Sequence, residues 1–150
     1  MEGILLAALG AGLAVGLPGI ASAVGSGIAG ASAAGAVAEK KETFVPAVIL
    51  EALPQTAVIL GFVIGIMILS KIGDLGEAIT VFQGTKIFGA GLIMGLAGLT
   101  PLGQAPVAAA GIGSVARNPE TMVQNVIFTA LPDISVILGF VISFMMLGSV

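Results

Sequence analysis

Between Gly3 and Ala38 the chain carries no charged side chain at all, and the pattern then recurs. A charged knot, Glu39-Lys40-Lys41-Glu42, is followed by Phe44–Ser70, whose single charge is Glu51. After Lys71–Lys86, with Asp74 and Glu77, comes a second uncharged run, Ile87–Ala116. Arg117-Asn118-Pro119-Glu120 then leads into Thr121–Val150, whose only charge is Asp133. Each run exceeds the roughly 20 residues a helix needs to cross hydrocarbon. Only helices or closed barrels satisfy their backbone in lipid, and these runs do not alternate as barrel strands do. The expected fold is therefore an all-α membrane protein of four transmembrane helices. The short turns cannot cross the bilayer, so the first helix pairs with the second and the third with the fourth, both turns lying on one side.

Composition agrees with that class. Charged residues make up 9% of the chain, against about 25% in soluble domains. The chain has no Cys, His, Trp or Tyr. Disulfides, thiol chemistry and the commonest metal ligand and general base drop out. The net charge of −3 and the lack of a basic patch argue against nucleic acid. The glycines carry no following Lys-Ser or Lys-Thr, so no phosphate loop is read. The first apolar run lacks a basic leader and is too long for a signal peptide, so it reads as a retained span.

The halves repeat. Ala52-Leu53-Pro54-Gln55 precedes Val58-Ile59-Leu60-Gly61-Phe62-Val63-Ile64, and Ala130-Leu131-Pro132-Asp133 precedes Val136-Ile137-Leu138-Gly139-Phe140-Val141-Ile142, at an offset of 78. Gly10-Ala11-Gly12-Leu13 matches Gly89-Ala90-Gly91-Leu92 with the offset slipped by one. Two helices per repeat give parallel hairpins, unlike inverted repeats. The division read from this is a first hairpin over 1–72, a linker over 73–86 and a second hairpin over 87–150. Gly12, Gly16, Gly19, Ala23, Gly27, Gly30, Ala34 and Ala38 form one small-residue face of the first helix. Such faces let backbones approach closely. Either a tight helix pair or a crowded inner ring of helices would use it. Phe62, Phe128, Phe140 and Phe144 place the second and fourth helices in an outer layer.

Asp133 falls midway along the last span, where burying a carboxylate costs at least about 2.5 kcal/mol. A proton, a bound cation or a basic partner must neutralise it, and no basic residue of this chain lies at that depth. Gln104 on the third helix stands about as far from the second turn as Asp133 does. Gln55 and Thr56 occupy the repeat-equivalent depth. Pro54 and Pro132 adjoin these polar positions, either as simple curvature or as a backbone opened beside an ion site. Glu51, one turn before Gln55, is a candidate accessory or interfacial acid.

The whole chain resembles the membrane rotor proteolipid of V-type and archaeal-type ATPases, the ring-forming component known as subunit K. The resemblance rests on the duplicated hairpins, the Gly-rich first helix, Leu53-Pro54-Gln55-Thr56, Gln104-Ala105-Pro106-Val107-Ala108-Ala109-Ala110-Gly111-Ile112, Ala116-Arg117-Asn118-Pro119-Glu120 and Ile137-Leu138-Gly139-Phe140-Val141. It implies that the essential carboxylate is Asp133, where many members carry glutamate. It implies a homo-oligomeric ring turning in the cell membrane against a stator subunit that supplies an arginine, with a central-stalk subunit at the short turns and lipid outside. It implies no cofactor and no ATP chemistry on this chain, with H+ or Na+ as the carried ion. In the sodium-binding version, the groups matching the Leu53 main-chain oxygen, Thr56 and Gln104 hold the ion with the carboxylate. A glutamine and a tyrosine of that version fall on Ala57 and Leu60, which favours protons here. The candidate ion-binding set is Asp133, Gln104, Thr56, Leu53 and Gln55, with Asp133, Gln104 and Thr56 as the metal ligands if sodium is the ion. An independent small cation transporter is the competing reading.

Overall fold

The computed structural model describes residues 1–150 as four long helical spans, Glu2–Glu39, Lys41–Ala78, Val81–Arg117 and Pro119–Gly148. Each is long and apolar enough to cross a membrane, and the chain is a multi-pass integral membrane protein. At about 1.5 Å per residue, spans of 37 and 38 residues outreach the hydrocarbon.

The first span is one helix, α1 (Glu2–Glu39), with Pro18 inside it. The others are broken. The second is α2 (Phe44–Ala52), a 3₁₀ turn over Leu53–Gln55, then α3 (Thr56–Leu75). The third is α4 (Val81–Ala97), then α5 (Pro101–Arg117) after a turn at Gly98–Thr100. The fourth is α6 (Met122–Ala130), then α7 (Asp133–Gly148). Pro54, Pro101 and Pro132 stand at these breaks, where a missing N–H leaves a carbonyl one turn earlier without its helical partner. Gly98, Leu99 and Thr100 also mark where the repeat offset changes from 79 to 78. The third span is one residue shorter there, and the turn absorbs the difference.

Helix occupies most of the stretch read as the 73–86 linker. Only Ile79 and Thr80 separate the second span from α4. Thr80 starts α4 with a capping box: its hydroxyl accepts from Gln83 N at 3.2 Å, and Gln83 Oε1 accepts from Thr80 N at 3.1 Å. The charges that suggested a linker sit on helix ends. At the opposite end, Asn118 Oδ1 accepts from Glu120 N at 3.1 Å, and Lys40 Nζ donates to Ala116 O at 2.8 Å, linking the first short turn to the last turn of α5.

Glycines set how closely the spans pack. A Cβ on Gly84 or Gly91 would collide with the backbone of Gly3 or Gly10, so α4 lies backbone to backbone on α1. Gly61 lets α3 cross α1 at Ala14 and Pro18 in the same way. Within one chain, these contacts leave part of the small-residue face of the first helix open. Gly12, Gly16 and Gly27 have nothing within 4 Å. One chain supplies α1 with a single α4, and that partner lies on the Gly3–Gly10 side. Gly12 and Gly16 are nonetheless the repeat equivalents of Gly91 and Gly95, which are both packed against α1.

Two apolar clusters fill the interior. One joins Ala7, Ala14, Ile64, Ile68, Ile87, Met94, Val136 and Leu147. The other, nearer the short turns, joins Ala29, Ala47, Leu50, Ala108, Ile112 and Val115. Along the chain, the breaks and the polar residues Ser22, Gln55, Gln104, Thr129 and Asp133 fall between them. Phe62, Phe128 and Phe144 lie exposed on the second and fourth spans, while Phe140 is partly buried against the first cluster.

Candidate ion-binding site

Asp133 is where it is because the fourth span stops and restarts. Pro132 cannot donate, α6 ends at Ala130, and the chain tightens through bonds from Ile134 N to Leu131 O at 3.3 Å and Ser135 N to Pro132 O at 3.2 Å. Asp133 is thus the first residue of α7. Partly free amide groups at a helix start suit an anion.

Two donors from two other spans meet this carboxylate. Thr56, the first residue of α3 after the turn at Pro54, places Oγ1 2.9 Å from Asp133 Oδ1. The same hydroxyl lies 3.0 Å from Leu53 O, so its one proton chooses between carboxylate and carbonyl. Gln104 is fully buried, and its Nε2 donates to Asp133 Oδ1 at 2.9 Å and to Thr129 O at 3.0 Å. Gln104 Oε1 is buried and has no partner. Both donors use Oδ1, and Oδ2 takes no hydrogen bond from the chain. Asp133 lines a groove of about 300 Å³ between α3 and α7, walled by Thr56, Ile59, Leu60, Val136 and Ile137. The site therefore offers one neutral-donor-held carboxylate oxygen and one free oxygen, at a lateral opening with apolar walls. No cationic side chain enters it, so charge balance must come from a proton, a small cation or a group outside the chain.

Asp133, Gln104, Thr56 and the Leu53 carbonyl are brought together. Gln55 is not: its Nε2 turns to α1, donating to Ser26 Oγ and lying 3.4 Å from Ser22 O. Glu51 is also apart, lining a separate groove of about 250 Å³ with Gly30, Ala33, Ala34, Val37, Phe44, Ala47 and Val48. Its Oε1 lies 2.9 Å from where a Cβ on Gly30 would stand, so glycine there makes room for it. Two participants escaped the sequence reading, the Thr129 carbonyl and Ser26. The signal for Ser26 was present: it precedes Gln104 by the same 78 residues that separate Gln55 from Asp133. The Ser26–Gln55 bond is thus the first hairpin's counterpart of Gln104–Asp133.

Residues 9–68 and 88–146, one segment in each hairpin, match the ATP synthase C subunit family. The chain is 39% identical over 150 residues to the A-type ATP synthase subunit K of Methanocaldococcus jannaschii, covering 100% of this chain and 65% of that protein. It is also 39% identical over 145 residues to the V-type sodium ATPase subunit K of Enterococcus hirae, covering 96% of this chain and 91% of that protein. The chain thus spans just under two thirds of the first relative's length.

Proposed function

This chain belongs to the ATP synthase C subunit family, and from that premise we propose that it is an ion-carrying rotor subunit of a V/A-type rotary ATPase, moving protons coupled to ATP hydrolysis or synthesis. It is non-catalytic for ATP itself. Copies of the chain form a ring in lipid, each protomer made of the two hairpins 1–72 and 87–150. A stator subunit supplies an arginine to Asp133, and a central-stalk subunit meets the short turns. The observation that carries this reading is the lone intramembrane carboxylate of Asp133, gripped through Oδ1 by Thr56 and Gln104 and open at the side to an apolar groove. Such a carboxylate takes its ion from a passing partner and keeps it while facing lipid, since an uncompensated charge there is costly.

Protons fit because Gln104 turns its donor nitrogen, not its oxygen, to the carboxylate, and because Ala57 and Leu60 bring no oxygen. Sodium is the second reading. It is favoured by the buried, unpartnered Gln104 Oε1, a neutral oxygen on the side chain that already meets the carboxylate, and by the likeness to a sodium ATPase subunit. The test is ATP-driven ion uptake by the assembled complex in liposomes. Asp133→Asn should abolish it, and retained coupled uptake would overturn the reading. Modification of Asp133 by a hydrophobic carbodiimide, with and without sodium at fixed pH, separates the ions. Indifference to sodium is expected, and protection at modest sodium would replace proton by sodium.

A further inference from the structure

Near the short turns the two hairpins pair residue for residue at the offset of 78. Each position therefore has a counterpart, but in different surroundings. The second hairpin has the first beside it, and the first has nothing beyond it. Along α6 and the turn after it, three residues are exposed whose counterparts are not. Gln124 and Leu131 are exposed where Pro46 and Leu53 are half-buried, and Phe128 is 58% exposed where Leu50 is fully buried. They stand at i, i+4 and i+7, one stripe of a helix. Val123 and Ile127, off that stripe, are exposed in both halves, as are their counterparts Val45 and Ile49.

The reverse holds on α1 and α2. Gly30, Ala34, Phe44 and Val48 line the groove of about 250 Å³ beside Glu51, and each is more exposed than its counterpart Ala108, Ile112, Met122 or Val126. Those counterparts are covered because Leu50 stands among them. Ala108, Ile112 and Leu50 share one buried cluster, and Met122 and Val126 pack against it. The groove is thus the seat that Leu50 fills in the second hairpin, left open in the first. Bulk is balanced across the two seats. Phe128 is larger than Leu50, and the α1 wall has Ala34 for Ile112 and Gly30 for Ala108, against one methyl gained at Ala33 over Gly111. Glu51, in the register of Thr129, folds against Gly30 at the deeper end of the groove. Farther along α1, Gly12 and Gly16 are open where Gly91 and Gly95 pack against the first hairpin, so the unfilled side is continuous.

We infer that Phe128 of one copy seats in the α1–α2 groove of the next, flanked by Gln124 and Leu131. The contact between protomers then repeats the contact between the two hairpins of one chain. It is head-to-tail, with different surfaces meeting, so every copy offers both a knob and a seat. The inference rests on the ring of the rotor reading and names the surfaces that meet in it.

The chain has no cysteine, so paired substitutions in the full assembled chain report proximity without background. A disulfide needs Cα atoms within about 7 Å. Ala34→Cys with Phe128→Cys should give, on oxidation, a ladder of covalent dimers and larger species. Ala34→Cys with Ile127→Cys should stay monomeric. Leu50→Cys with Ile112→Cys is the internal standard and should close within one chain. No ladder from the Ala34–Phe128 pair while the standard closes would overturn the inference, as would equal ladders from Phe128 and Ile127. If the standard does not close either, an exchange of bulk decides. Ala34→Ile should raise the ratio of monomer to oligomer in native mass spectra by about tenfold, because the seat is overfilled. Adding Phe128→Leu should restore the oligomer, since it recreates the Leu50–Ile112 pair. An oligomer untouched by Ala34→Ile, or one lost and not restored, would overturn the inference. Failure of the rotor reading shows separately, as coupled uptake surviving Asp133→Asn, and leaves the cross-linking result interpretable.

Discussion

At Asp133 two hydrogen bonds share one oxygen, and each comes from a different span. A hydrogen bond to a charged group contributes about 1.5–3 kcal/mol. Gln104→Leu should therefore lower ATP-driven ion uptake by the assembled complex in liposomes by about tenfold. Thr56→Val should act in the same direction but less, because the Thr56 hydroxyl divides its proton between Asp133 and Leu53 O. Glu51 occupies its own groove beside Gly30, so Glu51→Gln should leave coupled uptake within about twofold of the parent. Loss of uptake in Glu51→Gln would move the ion path to the first hairpin. The meeting of Asp133 and Gln104 was legible from the sequence, because their similar distances from the second turn put them at one depth. The placement of Gln55 was not. Depth alone does not say which neighbour a side chain turns to, and Ser26 offered Gln55 a partner on its own hairpin.

Among the elements, α1 and α4 are held at backbone contact by glycine. Gly91→Leu should destabilise the isolated chain by about 1–3 kcal/mol or prevent its folding, read as thermal unfolding in detergent. An unchanged transition would mean that α4 does not lie on Gly10. The four spans and the proline breaks were readable from charge-free length and from proline beside polar residues. The helical 73–86 stretch was not, since Asp74 and Glu77 sit on helix ends that outreach the hydrocarbon and so tolerate charge. The small-residue face named the right kind of contact, but within one chain α4 uses the Gly3–Gly10 side of α1 and leaves Gly12 and Gly16 open. Sequence shows where backbones are able to touch, but the partner decides which of those places are used.

For the whole molecule, the open Gly12–Gly16 side of α1 is the repeat equivalent of a surface that is packed in α4. A contact of this head-to-tail kind propagates until it closes on itself. Gly16→Leu should therefore leave the single chain folded but lower the oligomer mass seen by native mass spectrometry, the reverse of Gly91→Leu. An intact oligomer would place the contact elsewhere. Lys40, Lys41 and Arg117 at the short-turn end against Lys71 and Lys86 at the other give an expected orientation with the short turns in the cytoplasm. Cysteines at Glu42 and Ala78, both exposed, should label from opposite sides of sealed vesicles. Labelling from one side would refute the topology. The reach of Lys40 to the Ala116 carbonyl has a mechanical meaning as well. It ties the end of one hairpin to the end of the other at the only edge where both turns are presented together. In the rotor proposed above, a sideways load on either turn would be shared by both hairpins, this tie adding to the backbone packing of α4 on α1.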